Sequence, residues 1–158
     1  MTALSRGLDA VSAALFALAG AALAAMAGLY LWEVVARYAL GAPTIWTSDA
    51  VGYALSVAIF AALPEVTRRR AHVAVDILPA ALPDRGRRVL IRATDAAAGL
   101  AAGTAGWIAA REAFKQFDRG LMTNAAIPVP RWPITALIAA GLILAALVLL
   151  RDARRGAE

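Results

Sequence analysis

The run "AVSAALFALAGAALAAMAGLYLW", residues 10–32, decides how this chain is read: 23 residues without a charge, bounded by Asp9 and Glu33. As an α-helix rising about 1.5 Å per residue, it exceeds the roughly 30 Å hydrocarbon core of a bilayer. A second run, of 19 uncharged residues, separates Arg131 from Arg151. Two shorter runs of 15 residues lie between Asp49 and Glu65 and between Asp95 and Arg111. As helices these two cover only about 22 Å each, so at least one bounding charge sits below the membrane surface.

Composition agrees with a membrane protein. Of 158 residues, 61% are hydrophobic and 17% charged, against about 45–50% apolar residues in soluble domains. No cysteine is present, which excludes a disulfide framework and thiolate metal sites. The net charge of +5 does not point to nucleic acid, because the arginines flank apolar runs instead of coating a polar domain. The expected fold is an all-α membrane protein, a single domain over 1–158. Its four transmembrane helices are expected at 8–38, 47–67, 88–117 and 131–151, joined on one side by a loop at 68–87 and on the other by a loop at 118–130.

Orientation follows from the basic residues. With the N-terminus inside, Arg6, Arg68–Arg70, Arg85, Arg87, Arg88, Arg92, Arg151, Arg154 and Arg155 are cytoplasmic; only Arg37, Arg111, Lys115, Arg119 and Arg131 remain outside. The positive-inside rule places both termini in the cytoplasm. Trp32, Trp46, Trp107 and Trp132 are expected at the outer helix ends as an aromatic belt. The first apolar run exceeds the roughly 7–15 residues of a signal-peptide core, so it is read as a retained anchor.

After the second helix comes "RRRAHVAVDIL", residues 68–78. The three arginines read as a stop-transfer cluster facing anionic headgroups. The following "HVAVDILPAALP" is too apolar for a solvated loop and too short to span. With Val75, Leu78 and Leu82 at helical spacing and Pro79 as a breaker, it reads as a short interfacial segment between the second and third helices. His72 has no Cys and no second His anywhere in the chain to join it as a ligand, which favours a headgroup or capping contact over metal binding.

The second polar constellation is "WEVVARYALGAPTIWTSDAVGYAL", residues 32–55. Glu33 and Arg37 share a helix face and can pair. Gly41, Ala42 and Pro43 make the turn; Thr47 or Ser48 can cap the second helix, with Asp49 near its positive end. These charges either close the hairpin, or form a polar contact with another subunit or line a pathway. Small residues recur at Gly20, Ala24 and Gly28, and again at Gly99, Gly103 and Gly106. Such faces allow close helix contact, expected within the four-helix unit or else against a partner's helices. No nucleotide loop, nucleophile–base pair, metal cluster or internal repeat is visible, so no enzyme activity, metal or cofactor is expected.

At these motifs the chain resembles a known family: the small permease (Q, or DctQ-like) subunit of tripartite ATP-independent periplasmic (TRAP) transporters. "ARYALGAPTIWTSD" resembles the family's Arg-Tyr, short turn, Trp and acid pattern. "RRRAHVAVDIL" resembles its basic, His, Val/Ile, Asp segment, and "TNAAIPVPRWPITALIAAGLIL" its Ile-Pro lead-in to the fourth helix. The chain departs at Ser48, where the family commonly has the first of two adjacent acids, so that acid's contact is not carried over. The resemblance implies an ion-gradient-driven, sodium-coupled uptake system for organic acids in a bacterial inner membrane. A periplasmic binding protein (P) would deliver the substrate, a large permease subunit (M) would carry it, and this chain would enlarge the fixed scaffold. Interface residues, towards subunit or lipid, are then expected at Glu33, Arg37, Tyr38, Trp46, Asp49, Arg70, His72, Val75, Asp76 and Leu78. The alternatives are a free-standing four-helix multidrug-type exporter, with Glu33 as its carboxylate, and an unrelated membrane assembly factor.

Overall fold

The computed structural model describes residues 3–70 and 83–155. The expected interfacial segment, with His72, Val75, Asp76 and Leu78, lies outside the described residues. Among the described residues there are four helices: α1 (Ala3–Tyr38), α2 (Thr47–Arg68), α3 (Asp84–Asp118) and α4 (Trp132–Arg155). Among the described residues the only β pairing is an isolated antiparallel bridge between Met122 and Pro130. Among the described residues three helices are long and apolar enough to cross a membrane: Gly7–Tyr38, Thr47–Arg68 and Trp132–Arg154. The fourth span expected from the sequence is not among them. α3 is longer than α2 or α4, but its apolar stretch is shortened by Asp95 and Arg111 and its two ends are strongly charged.

The helices form an open layer. α1 packs along α2, α2 also packs on α4, and α4 packs on α3; among the described residues α1 barely reaches α4, and α3 packs on neither α1 nor α2, touching the end of α2 only through the Arg70–Asp95 pair. The order across the layer is therefore α1, α2, α4, α3. α2 and α4 run parallel, and each edge helix runs antiparallel to its neighbour, as the cross-links at each end described below require.

Along α1, the residues least exposed to solvent are Ser12, Leu15, Ala19, Ala22, Met26, Leu29, Glu33 and Ala36. That alternating three-and-four spacing makes one narrow seam facing α2. The other side leaves Leu18, Leu23, Leu31 and Val34 about half exposed or more.

The α2–α4 seam turns on two residues. Pro64, inside α2 and buried, has no N–H, so the carbonyl of Phe60 loses its helical donor. Gly141 of α4 sits against that carbonyl: a Cβ there would collide with Phe60 O. One α-hydrogen of Gly141 therefore points at the released oxygen, a weak Cα–H···O contact that only glycine permits at this distance. The α3–α4 seam uses Gly99 and Gly106 in the same way. A Cβ on Gly99 would stand 2.9 Å from Leu150 Cγ, and one on Gly106 2.8 Å from Ile143 Cγ1.

Helix ends are set by backbone geometry. α3 closes with Gly120 at φ +58. There the Gly120 N–H donates to Phe117 O and the Leu121 N–H to Gln116 O, both at 3.1 Å, the paired bonds of a Schellman ending. Two residues past α2, Arg70 takes the same left-handed region, φ 51, with its N–H on Thr67 O at 3.1 Å. An L side chain at that φ costs about 1–2 kcal/mol. The Arg70 side chain pairs with Asp95 of α3 at 3.0 Å, which opposes that cost.

Candidate functional site

Polar side chains concentrate at the two ends of the layer. The hairpin end holds the turns at 39–46 and 119–131; the arginine end holds the start of α1, the close of α2, the start of α3 and the close of α4.

At the hairpin end Glu33 organises the first turn. Its Oε1 accepts from Arg37 Nη2 at 2.7 Å. Its Oε2 accepts from the Thr44 N–H at 3.2 Å and from the Thr44 hydroxyl, which is hydrogen-bonded in turn to the Thr47 hydroxyl. The expected Glu33–Arg37 pair is present, and Thr44 adds a partner that no helical spacing could reveal. The expected capping of α2 by Thr47 or Ser48 does not occur. Thr47 is the first helical residue, the preceding Trp46 is already in the α region, and no side-chain cap bond forms. Thr47 is drawn into the Glu33 cluster instead.

Asp49 has a different task from helix capping alone. It lies in the first turn of α2, where a negative charge is favourable, and its Oδ2 accepts from the Ala126 N–H at 2.8 Å. One turn on, Tyr53 OH donates to Thr123 Oγ1 at 2.9 Å. These bonds tie α2 to the loop between α3 and α4. Within that loop the Thr123 N–H donates to Val129 O and the Val129 N–H to Thr123 Oγ1. Tyr38 and Trp46 make no comparable bond; Tyr38 is 81% exposed.

Of the four tryptophans, Trp32, Trp46 and Trp132 stand at the hairpin end, and Phe117 meets Trp132 edge-on with ring centroids 5.4 Å apart. Trp107 does not join them. Its neighbour Gly106 packs on Ile143, eleven residues along α4 from Trp132, or roughly 16 Å deeper. Three of the four tryptophans therefore share the hairpin end, where α3 contributes Phe114 and Phe117.

At the arginine end the centre is Glu65, which has no exposed surface. Arg68 grips it with a fork, Nη2 to Oε1 at 2.6 Å and Nε to Oε2 at 2.7 Å, and Arg69 Nε reaches Oε1 at 2.7 Å. A buried carboxylate with two guanidinium partners is fully satisfied and cannot easily exchange a proton. Arg69 also lies over the Phe16 ring of α1, 5.2 Å from its centroid. Arg151 of α4 bonds Asp9 of α1 at 3.0 Å and Asp152 at 3.2 Å. Ser12 Oγ is buried beside the α1–α2 seam without a partner. The arginine cluster at 68–70 thus does more than stop a helix: two members clamp Glu65, and Arg70 fastens α2 to α3. Glu65 followed by arginines three and four residues later was the sequence signal for this clamp.

Each end is cross-linked within itself, and no described side chain connects the two clusters through the middle of the layer. Among the described residues no group of three or more His, Cys, Asp or Glu converges to hold a metal. What the arrangement can do is hold four helices in register and present broad apolar faces.

The comparisons fit this geometry. The family model described as "Tripartite ATP-independent periplasmic transporters, DctQ component" matches residues 26–158. No curated protein and no solved structure matches significantly. The match takes in the Glu33 turn, the Asp49 tie, the Glu65 clamp and both glycine-packed seams, and the chain therefore belongs to the DctQ family, the small membrane subunits of TRAP transporters.

Proposed function

We propose that this chain is a non-catalytic scaffold that enlarges the immobile part of a large TRAP permease subunit, in a sodium-driven system for organic-acid uptake. The observation that carries the proposal is the open layer. Among the described residues α1 gives one narrow seam to α2, and on its face at Gly20, Ala24 and Gly28 nothing described lies within 4 Å of a Cβ built at Gly20 or Gly28. Lipid supplies no hydrophobic drive between helices, so small-residue faces of this kind serve close packing with another helix. Glu33, Glu65, Asp95 and Asp9 are each held by an arginine within their own end, and no described side chain forms a relay for an ion between the two ends.

The arginine end is cytoplasmic, with both termini on that side of a bacterial inner membrane, and the hairpin end is periplasmic. α3 crosses too. It lies antiparallel along α4 from Gly99 beside Leu150 to Phe117 beside Trp132, so it occupies the depth of a span; Arg111, Glu112 and Lys115 then sit in its periplasmic third. Arg69, about half exposed, and the arginines at the start of α3 meet anionic lipid. The hairpin end faces the periplasmic binding protein.

The exporter alternative needs a carboxylate free to exchange partners, and Glu33 is held by Arg37, the Thr44 backbone and the Thr44 hydroxyl. Tagged chain extracted in mild detergent should carry a large multi-span permease with it, and the chain alone in proteoliposomes should move no solute. Recovery of homodimers only, together with flux from this chain by itself, would reject the scaffold.

A further inference from the structure

At the hairpin end a cleft of about 230 Å³ is lined by Gln116, Thr123, Asn124, Arg131, Ile134 and Thr135. Its hydrogen-bonding capacity is lopsided. Gln116 has its carbonyl oxygen occupied by the Thr135 hydroxyl at 2.8 Å, while its amide nitrogen makes only a long 3.5 Å contact with Glu112. Thr123 Oγ1 accepts twice, from Tyr53 OH and from the Val129 N–H, so its own hydrogen remains free to donate. The side chains of Asn124 and Arg131 make no described hydrogen bond or ion pair. Once internal bonds are counted, the cleft keeps as donors the Arg131 guanidinium, the Asn124 and Gln116 amide groups and the Thr123 hydroxyl, against the Asn124 carbonyl and the Thr135 hydroxyl as acceptors, so donors outnumber acceptors and one full positive charge is among them. No carboxylate lines it.

We infer that this cleft is a binding site for a carboxylate group, with the Arg131 guanidinium as its fork and Asn124, Thr123 and Gln116 as supporting donors. A planar oxyanion matches the guanidinium geometry better than a spherical one. The single positive charge suits one carboxylate, and Ile134 gives the attached carbon a short apolar wall. The site is polar and open, at the end where the α3–α4 loop leaves the layer, so a ligand reaches it from water. The carboxylate comes either from a free organic acid or from an acidic side chain of a soluble protein, and the site stands whether or not the face of α1 meets a permease.

The full chain, purified in detergent, is titrated calorimetrically with sodium succinate and separately with a hexaglutamate peptide, using sodium chloride at matched ionic strength as reference. Saturable binding of succinate identifies a free acid; saturation by the peptide alone identifies a protein carboxylate. In either case R131Q weakens binding about tenfold or more, the loss of one charge-assisted pair. R131K, which keeps the charge without the fork, falls between, and R119Q outside the cleft binds as the parent does. Thermal melting of each variant confirms its fold. No saturable heat with either probe, or unchanged binding by R131Q, overturns the site.

Discussion

Two faces of this molecule carry nearly the same sequence pattern and have different fates. On α3, Gly99, Gly103 and Gly106 face α4, and two of the three leave no room for a methyl group. On α1, Gly20 and Gly28, with Ala24 between them, have no described atom within 4 Å of where a Cβ would stand. Small residues four apart confer a capacity for close approach, and the rest of the fold decides whether an internal helix uses it. α3 finds α4 because a short loop, bonded to Asp49 and Tyr53 of α2, brings the two helices side by side. Among the described residues α1 has α2 beside it and touches α4 only near Asp9, and its seam with α2 runs along a different stripe.

The contrast can be broken from the inside outward. The largest effect is expected from Gly141→Ala. The obstructing atom is a backbone oxygen that cannot swing aside, so the α2–α4 seam must part, at roughly 2–3 kcal/mol. Thermal unfolding in detergent, followed by circular dichroism, reads that loss. Glu65→Gln comes next. It leaves two arginines without their carboxylate, but both reach solvent, Arg68 at 33% and Arg69 at 58% side-chain exposure. The expected cost is therefore about 1–2 kcal/mol, below the roughly 3–5 kcal/mol of a fully buried pair.

Within the α3 face, Gly106→Ala should cost about 1 kcal/mol, because Ile143 must shift. Gly103→Ala, with its nearest neighbour at an ordinary 3.7 Å, should change the melting temperature hardly at all. The smallest effect on stability is expected at Gly28→Leu, within about 0.5 kcal/mol of the parent. There the reading is different: the isolated chain melts normally while recovery of the large permease falls. Equal damage to the isolated chain from Gly28→Leu and Gly106→Ala would erase the distinction between the faces.

Much of this was legible in the residues. Uncharged runs mark the helices because a span must exclude charge, and the Glu33–Arg37 pair follows from helical spacing alone. The Asp49 tie was not legible, since its partner is a backbone N–H 77 residues away and backbone donors leave no trace in a sequence. The Glu65 clamp was visible but masked: arginines three and four residues after an acid also look like a membrane stop. Trp107 was misplaced because depth along α3 is set by where Gly106 meets Ile143, a tertiary contact that a charge-free window cannot report. The DctQ motifs pointed to the family correctly, while the task of each residue came from bonds between elements.

The claim on which the account rests is that the outer face of α1 is covered by protein. A photo-crosslinking amino acid at Ala24, between Gly20 and Gly28, activated in native membranes, tests it directly. A single adduct with a large multi-span permease is the predicted result; labelling of lipid alone, with the assembled transporter present, would contradict it.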